Sequence, residues 1–178
     1  MSGDGYPLPL PVRFAAGASE ATALFKELRK PLLRYLVGLG LTSDEAQDVV
    51  QDAFLNLHRS LESGVAHENA RAWLFSVAHN QARNRQKSYH RRFGAPLEDG
   101  AIELLDESTP EHAVLNKEKF ERLRVALQKL SAAERECLLL RAEGLRYREI
   151  GEVLGMATST VADTVDRAVR KLAEKCNV

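Results

Sequence analysis

Residues 130–172 read LSAAERECLLLRAEGLRYREIGEVLGMATSTVADTVDRAVRKL and carry the start and stop signals of three successive helices. Ser131, followed three residues later by Glu134, is typical of a capping box, in which the two residues bind each other's backbone N–H groups at a helix start. Gly155 follows a short amphipathic stretch and can adopt the left-handed conformation that ends a helix. A short helix, a tight turn containing glycine and a longer helix together predict a helix-turn-helix.

The last helix of this motif is predicted to bury one face and expose the other. Val161, Val165, Ala168 and Leu172 recur at helical spacing and are expected to face the core. The second helix of a helix-turn-helix can lie in the DNA major groove with its amino-terminal turn towards the base edges. The candidate residues for contact with duplex DNA are Arg148, Ser159, Thr160, Ala162, Asp163, Arg167 and Arg170.

The first half of the chain shows further amphipathic patterns. Apolar residues recur at helical spacing over residues 19–39, and Pro31 within that stretch predicts a kink or a break near Lys30. Thr42 and Glu45 form a second capping box, which opens a helix with one apolar stripe. A third helical pattern begins with apolar residues around residue 73 and ends in a basic segment.

Charge is sorted along the chain although the formal net charge is zero. Residues 79–92 carry five Lys and Arg and no acid, whereas residues 93–111 carry six acids, no Lys or Arg and no sustained period. Such segregation lets one part of a protein bind an anion while another part avoids it or imitates it. We therefore expect an all-α protein with two small helical domains joined by an acidic flexible linker, the second domain containing the helix-turn-helix.

The predicted organisation has four parts. A flexible amino-terminal tail takes residues 1–18, the first domain residues 19–92, the linker residues 93–111 and the second domain residues 112–178. No apolar run approaches the roughly 20 residues that span a bilayer, so we expect no membrane insertion.

The sequence contains no motif typical of a metal site, a cofactor-binding site or a catalytic site. Cys137 and Cys176 lack the spacing of a zinc site, and the five histidines are scattered and expected at surface or loop positions. There is no glycine-rich phosphate loop and no nucleophile placed beside a base. We expect no metal, no cofactor and no enzymatic activity, and the absence of an export signal and of a disulfide framework favours the cytoplasm.

Three segments together resemble one known family. Residues 130–156 resemble the carboxy-terminal promoter-binding domain of bacterial sigma factors. Residues 44–59, DEAQDVVQDAFLNLHR, resemble the family's polymerase-binding helix, and residues 71–85, RAWLFSVAHNQARNR, resemble its promoter-melting segment. The segments stand in the family's order, and the chain has no room for the additional middle domain of housekeeping sigma factors. It is similar to the extracytoplasmic-function (ECF) group, which implies core RNA polymerase, promoter DNA and an anti-sigma factor as partners.

The resemblance assigns a role to each surface. Asp48, Gln51, Asp52 and Asn56 share one side of their helix, an acidic and hydrogen-bonding face for a basic partner helix, which the family implies is the polymerase clamp. Promoter melting exposes bases, and amides can read unstacked bases while cations hold phosphates. The residues expected to bind the minus-ten element in this way are Asn80, Arg83, Asn84 and Lys87. The residues named for duplex DNA are then expected to bind the minus-thirty-five element.

Some features leave alternatives open. Asp163 and Asp166 would face phosphate in the usual docking pose. They therefore either accept hydrogen bonds from cytosine amino groups or pair with Arg167 and Arg170, or the domain reads DNA weakly or in another pose. One alternative is a helix-turn-helix regulator that acts without polymerase. Another is a sigma-like interaction protein that has lost readout of the upstream element. A metal site on the carboxylates of residues 45–52 is disfavoured because no Glu-x-x-His companion helix exists.

Overall fold

The computed structural model describes residues 12–64, 68–93, 125–127 and 129–176, and all regular structure in these ranges is helical. Numbered in chain order, the helices are α1 (Val12–Gly38), α2 (Ser43–Glu62), α3 (Ala70–Phe93), α4 (Ala132–Ala142), α5 (Tyr147–Leu154) and α6 (Thr158–Cys176). None of the helices in the described ranges combines the length and the apolarity that crossing a membrane requires. The predicted all-α class is confirmed for this part of the chain.

The first domain consists of α1, α2 and α3 packed around their apolar faces. The capping box predicted at the start of α2 is present, because the Glu45 N–H donates to Thr42 Oγ1 at 3.3 Å and the Thr42 N–H donates to Glu45 Oε2 at 2.9 Å. Tyr35 of α1 and Phe75 of α3 are fully buried and meet edge to face, with ring centroids 5.6 Å apart. The apolar stripe of α2 faces this core through buried Val49, Val50, Ala53, Phe54 and Leu57.

The second domain consists of α4, α5 and α6, and the predicted helix-turn-helix is formed by the last two. The Ser131–Glu134 capping box opens α4, and Gly155 ends α5 with the left-handed φ of 67° that its sequence position predicted. The turn depends on Gly151 as well. The Met156 N–H donates to the Gly151 carbonyl at 2.9 Å, and a Cβ at Gly151 would lie only 2.5 Å from the Met156 carbonyl oxygen.

The two domains pack directly against each other, which the sequence did not predict. Contacts join α3 to α5 and α1 to α4, and one continuous cluster of buried side chains runs through both domains. At the junction the backbone of Gly38, at the end of α1, lies against the side chain of Leu139 of α4. The structure is therefore a closed arrangement in which the second domain covers part of the first.

The structure of α1 differs from the prediction at two points. The helix begins at Val12, so residues 12–18, assigned to the tail, are helical. This stretch contains three alanines, the residue with the strongest helix propensity, and it follows a proline in the sequence. Of the kink or break expected near Lys30, a break is not found, since α1 continues through Pro31. Leu28, Leu32 and Tyr35 are buried on both sides of Pro31, and their packing offsets the lost backbone hydrogen bond.

Parts of the predicted organisation lie outside the described residues. These parts are residues 1–11 of the tail, the linker apart from Phe93, which ends α3, and most of the stretch expected to be helical before Leu130.

The expectation that His79 is a surface or loop residue was wrong. It lies within α3, is 7% exposed, and its Nδ1 is hydrogen-bonded to the Tyr35 hydroxyl at 2.8 Å. Position 79 shares the buried face of α3 with Phe75 and Ala82, which explains the burial. That burial, reinforced by the nearby positive charge of Arg83, lowers the pKa of His79 to about 4.

This pKa predicts a loss of stability in mild acid. The unfolded chain binds a proton at His79 near its ordinary pKa of about 6.5, whereas the folded chain resists protonation. The stability from the neutral imidazole is therefore complete above pH 6.5 and is lost as the pH falls towards 4. Urea unfolding should show that the free energy of unfolding decreases by about 2 kcal/mol between pH 7 and pH 5 because of His79. A His79→Gln variant should lack that component, and His58→Gln, at a half-exposed site, should keep it. An unchanged pH slope in His79→Gln would contradict the assignment.

Candidate polymerase and nucleic-acid interfaces

The predicted polymerase-binding residues form one solvent-facing side of α2. Because the opposite side is buried against α1 and α3, Asp48, Gln51, Asp52 and Asn56 are all exposed. The side chains of Asp48 and Asp52 are 68% and 56% exposed. The structure thus brings the four residues together on a surface that a partner helix can reach.

Arg85 modifies the charge of this α2 face. It belongs to the basic segment of α3, yet its guanidinium lies 3.8 Å from Asp48 Oδ2 and 3.9 Å from Asp52 Oδ2. These long, partly exposed ion pairs contribute little stability. They do lower the negative potential of the α2 face and place a cation of α3 beside it.

Sequence reasoning missed an apolar groove that adjoins these four residues. The groove, of about 280 Å³, lies between α1 and α2 and is lined by Ala21, Thr22, Phe25, Gln51, Phe54, Leu55 and His58. Phe25 packs edge-on against Phe54 with ring centroids 4.9 Å apart, and Phe25 and Leu55 remain 38% and 47% exposed. The available signal was Leu55, a large apolar residue that falls outside the buried stripe of α2. An apolar centre beside charged groups is the usual composition of a protein-binding surface.

The predicted strand-binding residues share one face of α3. Asn80, Arg83, Asn84 and Lys87 are spaced by three and four residues, and all four are exposed. The Arg83 side chain is 45% exposed and its Nη1 lies 3.4 Å from Glu136 Oε1 of α4. Burial raises the pKa of Glu136, against the lowering effect of Arg83 and Arg135. One cation of the α3 face is therefore already occupied by a carboxylate of the second domain.

The predicted duplex-binding residues mostly lie on the outer face of α6. Ser159, Thr160, Asp163, Arg167 and Arg170 are exposed and Ala162 is half-buried, while Val161, Val165 and Ala168 are buried as predicted. Lys171 is less available for phosphate than the sequence suggests. It donates to both carboxylate oxygens of Glu134 at 2.8 Å, and this contact, with the capping hydrogen bond to Ser131, lowers the pKa of Glu134.

Arg148 does not join this group of residues. It lies on α5, pairs with Glu152 one turn later at 3.1 Å, and lines a cleft of about 520 Å³ between α5 and α3. On the opposite side the cleft is lined by Asn69, which precedes α3, and by Ala72, Trp73 and Ser76 of α3. Arg148 is therefore directed to the boundary between the domains and away from the outer face of α6.

The two acids on α6 do not pair with the neighbouring arginines. Arg167 Nη2 lies 3.5 Å from Thr164 Oγ1, and Arg170 Nε donates to the backbone carbonyl of Asp166 at 3.4 Å. Asp163 and Asp166 are exposed and form no ion pair with any residue in the described ranges. Of the possibilities that the sequence left open, pairing with these arginines is not what the structure contains.

Comparisons with known proteins identify the family. The family models for Sigma-70 region 2 and Sigma-70, region 4 match residues 24–92 and residues 120–172. RNA polymerase sigma factor YlaC of Bacillus subtilis is 29% identical over 147 residues, which cover 82% of this chain and 85% of that protein. The ECF RNA polymerase sigma factor EcfG of Rhodopseudomonas palustris is 32% identical over 145 residues, 80% of this chain and 78% of that protein.

A solved structure of a sigma factor is also similar to this chain. The sigma factor RpoE from Bartonella quintana, in complex with the anti-sigma factor NepR, is 28% identical with a TM-score of 0.64, and the match covers 88% of this chain and 98% of that chain. The chain therefore belongs to the ECF family of RNA polymerase sigma factors, and it directs promoter recognition by RNA polymerase.

Proposed function

We propose that three separate surfaces carry out three steps of transcription initiation. The exposed side of α2, with Asp48, Gln51, Asp52 and Asn56, binds core RNA polymerase. The face of α3 from Asn80 to Lys87 binds the exposed non-template strand of the minus-ten element. The outer face of α6 binds the minus-thirty-five duplex.

The observation that carries this proposal is the placement of the three surfaces on three different helices, each opposite a buried face. On α2 the exposed side is acidic with an apolar groove beside it, which suits a basic partner helix. On α3 two amides and two cations share one face, which suits unstacked bases and their phosphates. On α6 the exposed residues lie on the second helix of the helix-turn-helix, which suits the major groove.

The remaining roles follow from the family. The chain acts in the cytoplasm, where its polymerase is, and the phosphodiester chemistry is carried out by the polymerase. Because RpoE of Bartonella quintana was solved with an anti-sigma factor, we include a protein of that type among the partners of this chain.

One observation favours a second candidate function. Asp163 and Asp166 are exposed on α6, and a carboxylate beside DNA phosphate is repulsive. A sigma factor that depends mainly on the minus-ten element, with little or no readout of the upstream element, is compatible with such a helix.

Capture of core polymerase, followed by transcription from a randomised promoter library, tests these assignments. The first candidate predicts capture and selection of two spaced promoter elements. Capture with selection of the downstream element alone would favour the second candidate. Failure to capture polymerase would contradict both.

Replacing Arg83 and Lys87 with alanine tests the α3 surface. Polymerase capture should be unchanged, whereas open-complex formation should fall by about tenfold, since two phosphate contacts are removed. The dependence of opening on salt concentration should also flatten. Lys26→Ala with Lys129→Ala removes the same charge from exposed sites elsewhere and should leave opening unchanged. Equal opening by the two double variants would contradict the assignment of α3.

A further inference from the structure

Arg85 is a cation that none of the three proposed surfaces includes. It lies on α3 directly after Asn84, but on a different side of the helix. Ala78 and Ala82, seven and three positions before it, are fully buried, and this spacing puts Arg85 at the edge of the same buried side. Its guanidinium therefore points to α2 and away from the face proposed for the single strand.

The backbone around Arg85 is held in place by the next residue. The Gln86 side chain donates from Nε2 to the carbonyl oxygen of Leu39 at 2.7 Å, which joins this turn of α3 to the end of α1. Arg85 Nη1 also lies 3.5 Å from the Glu45 carbonyl oxygen of α2. Because the helix is fixed at this point, Arg85 leaves the acids of α2 by rotation of its own side chain.

Arg85 compensates part of the charge of the proposed polymerase-binding face. Gln51 and Asn56 of that face are neutral, so Asp48 and Asp52 supply both of its negative charges. The guanidinium of Arg85 lies 3.8 Å from the first acid and 3.9 Å from the second. One positive charge beside two negative charges leaves about half of the electrostatic attraction for a basic partner that the sequence of α2 alone predicts.

The two ion pairs are of a kind that a partner can replace. Arg85 uses Nη1 for Asp48 and Nη2 for Asp52, so neither carboxylate is bound bidentately. Strong pairs of guanidinium and carboxylate have distances of about 2.7–2.9 Å, and both distances here are longer. The acids are 68% and 56% exposed, more than Arg85 at 35%. A cation that approaches from solvent therefore has room to form the shorter contact that Arg85 does not form.

We propose that Arg85 is an internal counter-ion for Asp48 and Asp52, and that core RNA polymerase displaces it when a basic helix of the enzyme docks on α2. The proposal rests on the assignment of the α2 face to polymerase. Exposed ion pairs at such distances are weak, so displacement costs little. Their larger effect is on the field that an approaching partner meets. Arg85 thereby lowers the rate of capture and disfavours partners with too little positive charge to replace it.

Arg85→Gln in the full-length chain is the direct test, because glutamine removes the charge and keeps part of the hydrocarbon stem. Association and dissociation rates with core polymerase are measured without DNA, at low and at high salt. The association rate constant should rise about threefold at low salt, the size expected for one exposed ion pair. The gain should shrink at high salt, since screening weakens exposed charges.

Two further single variants serve as controls. Arg85→Lys keeps a positive charge beside both acids and should bind like the parent chain, so a gain as large as that of Arg85→Gln would contradict a role of the charge. Lys129→Gln removes one cation at an exposed position before α4 and should leave the association rate unchanged. Urea unfolding of each chain should differ little, since the ion pairs of Arg85 are weak and partly exposed.

An Asp48→Asn, Asp52→Asn chain separates this proposal from the assignment on which it rests. If the α2 face binds polymerase, this chain should bind more weakly than the parent, and equal binding would contradict the assignment itself. Adding Arg85→Gln to this chain should have little effect on the association rate, because no acids remain for Arg85 to compensate.

Three results would overturn the role of Arg85 while leaving the α2 assignment in place. Slower association of Arg85→Gln would show that polymerase contacts Arg85 directly. An unchanged rate would show that the ion pairs do not affect capture. An equal gain in the parent and in the Asp48→Asn, Asp52→Asn chain would show that Arg85 repels the partner as an isolated charge and does not act through the acids.

Discussion

Replacing Asp52 with lysine and Leu55 with alanine is expected to reduce the affinity of the chain for core RNA polymerase by about a hundredfold. The first change reverses a charge that is 56% exposed on the α2 face, and like charges across an interface are strongly unfavourable. The second removes the exposed apolar side chain that borders the groove between α1 and α2. Truncating a central apolar contact typically costs 1 kcal/mol or more, and a hundredfold loss corresponds to about 2.7 kcal/mol.

The matched control for this pair is Glu174→Lys with Val169→Ala. It makes the same change of charge and the same kind of apolar truncation at exposed positions of α6. Titration of labelled protein with core polymerase gives both affinities. If the α2 and α6 double variants bind equally well, the polymerase-binding surface lies elsewhere on the chain. The folded state of each variant is checked by urea unfolding, which should change little because all four positions are exposed.

Gly151→Ala should destabilise the second domain by about 3 kcal/mol and remove binding to the minus-thirty-five duplex. Alanine has the stronger helix propensity, and at an unconstrained helical position it would stabilise the chain by about 1 kcal/mol. Here the added methyl group meets the Met156 carbonyl oxygen at 2.5 Å. Since that oxygen belongs to the backbone of the turn, relief requires α5 and α6 to move apart.

The sign of the change in the free energy of unfolding distinguishes a steric clash at Gly151 from a simple gain in helix propensity. Urea unfolding of Gly151→Ala and of Glu152→Ala, the exposed neighbour, should show a large loss of stability for the first and a change within about 0.5 kcal/mol for the second. A Gly151→Ala chain more stable than the parent would show that the turn accommodates a side chain. The close contact would then not be what positions α6.

The helices were predictable where the controlling interactions are local. Both capping boxes join residues three apart, so Thr42 with Glu45 and Ser131 with Glu134 could be identified from spacing alone. The left-handed Gly155 was predictable for the same reason. The exposed sides of α2, α3 and α6 followed from helical periodicity.

The interactions that the sequence did not predict join residues far apart in the chain. Arg34 and Glu143 are separated by 109 positions and Tyr35 and His79 by 44. A histidine or an arginine has several chemically reasonable partners, and only the packed structure selects one of them. Arg85 is a further example of a partner that the sequence does not identify. Its position in a basic segment indicated contact with DNA, whereas its guanidinium lies beside Asp48 and Asp52. The extent of α1 was missed because its first turns lack a clear apolar stripe.

Helix α3 contacts other helices on three of its sides, and this has a mechanical consequence. One side is buried against α1 and α2 through Phe75 and Ala78, the second places Arg85 beside the acids of α2, and the third carries Arg83. No loop intervenes between them, since all belong to one continuous helix with a rise of about 1.5 Å per residue. In the proposed arrangement, docking α2 on the polymerase would therefore set the position and direction of the face of α3 that receives the bases.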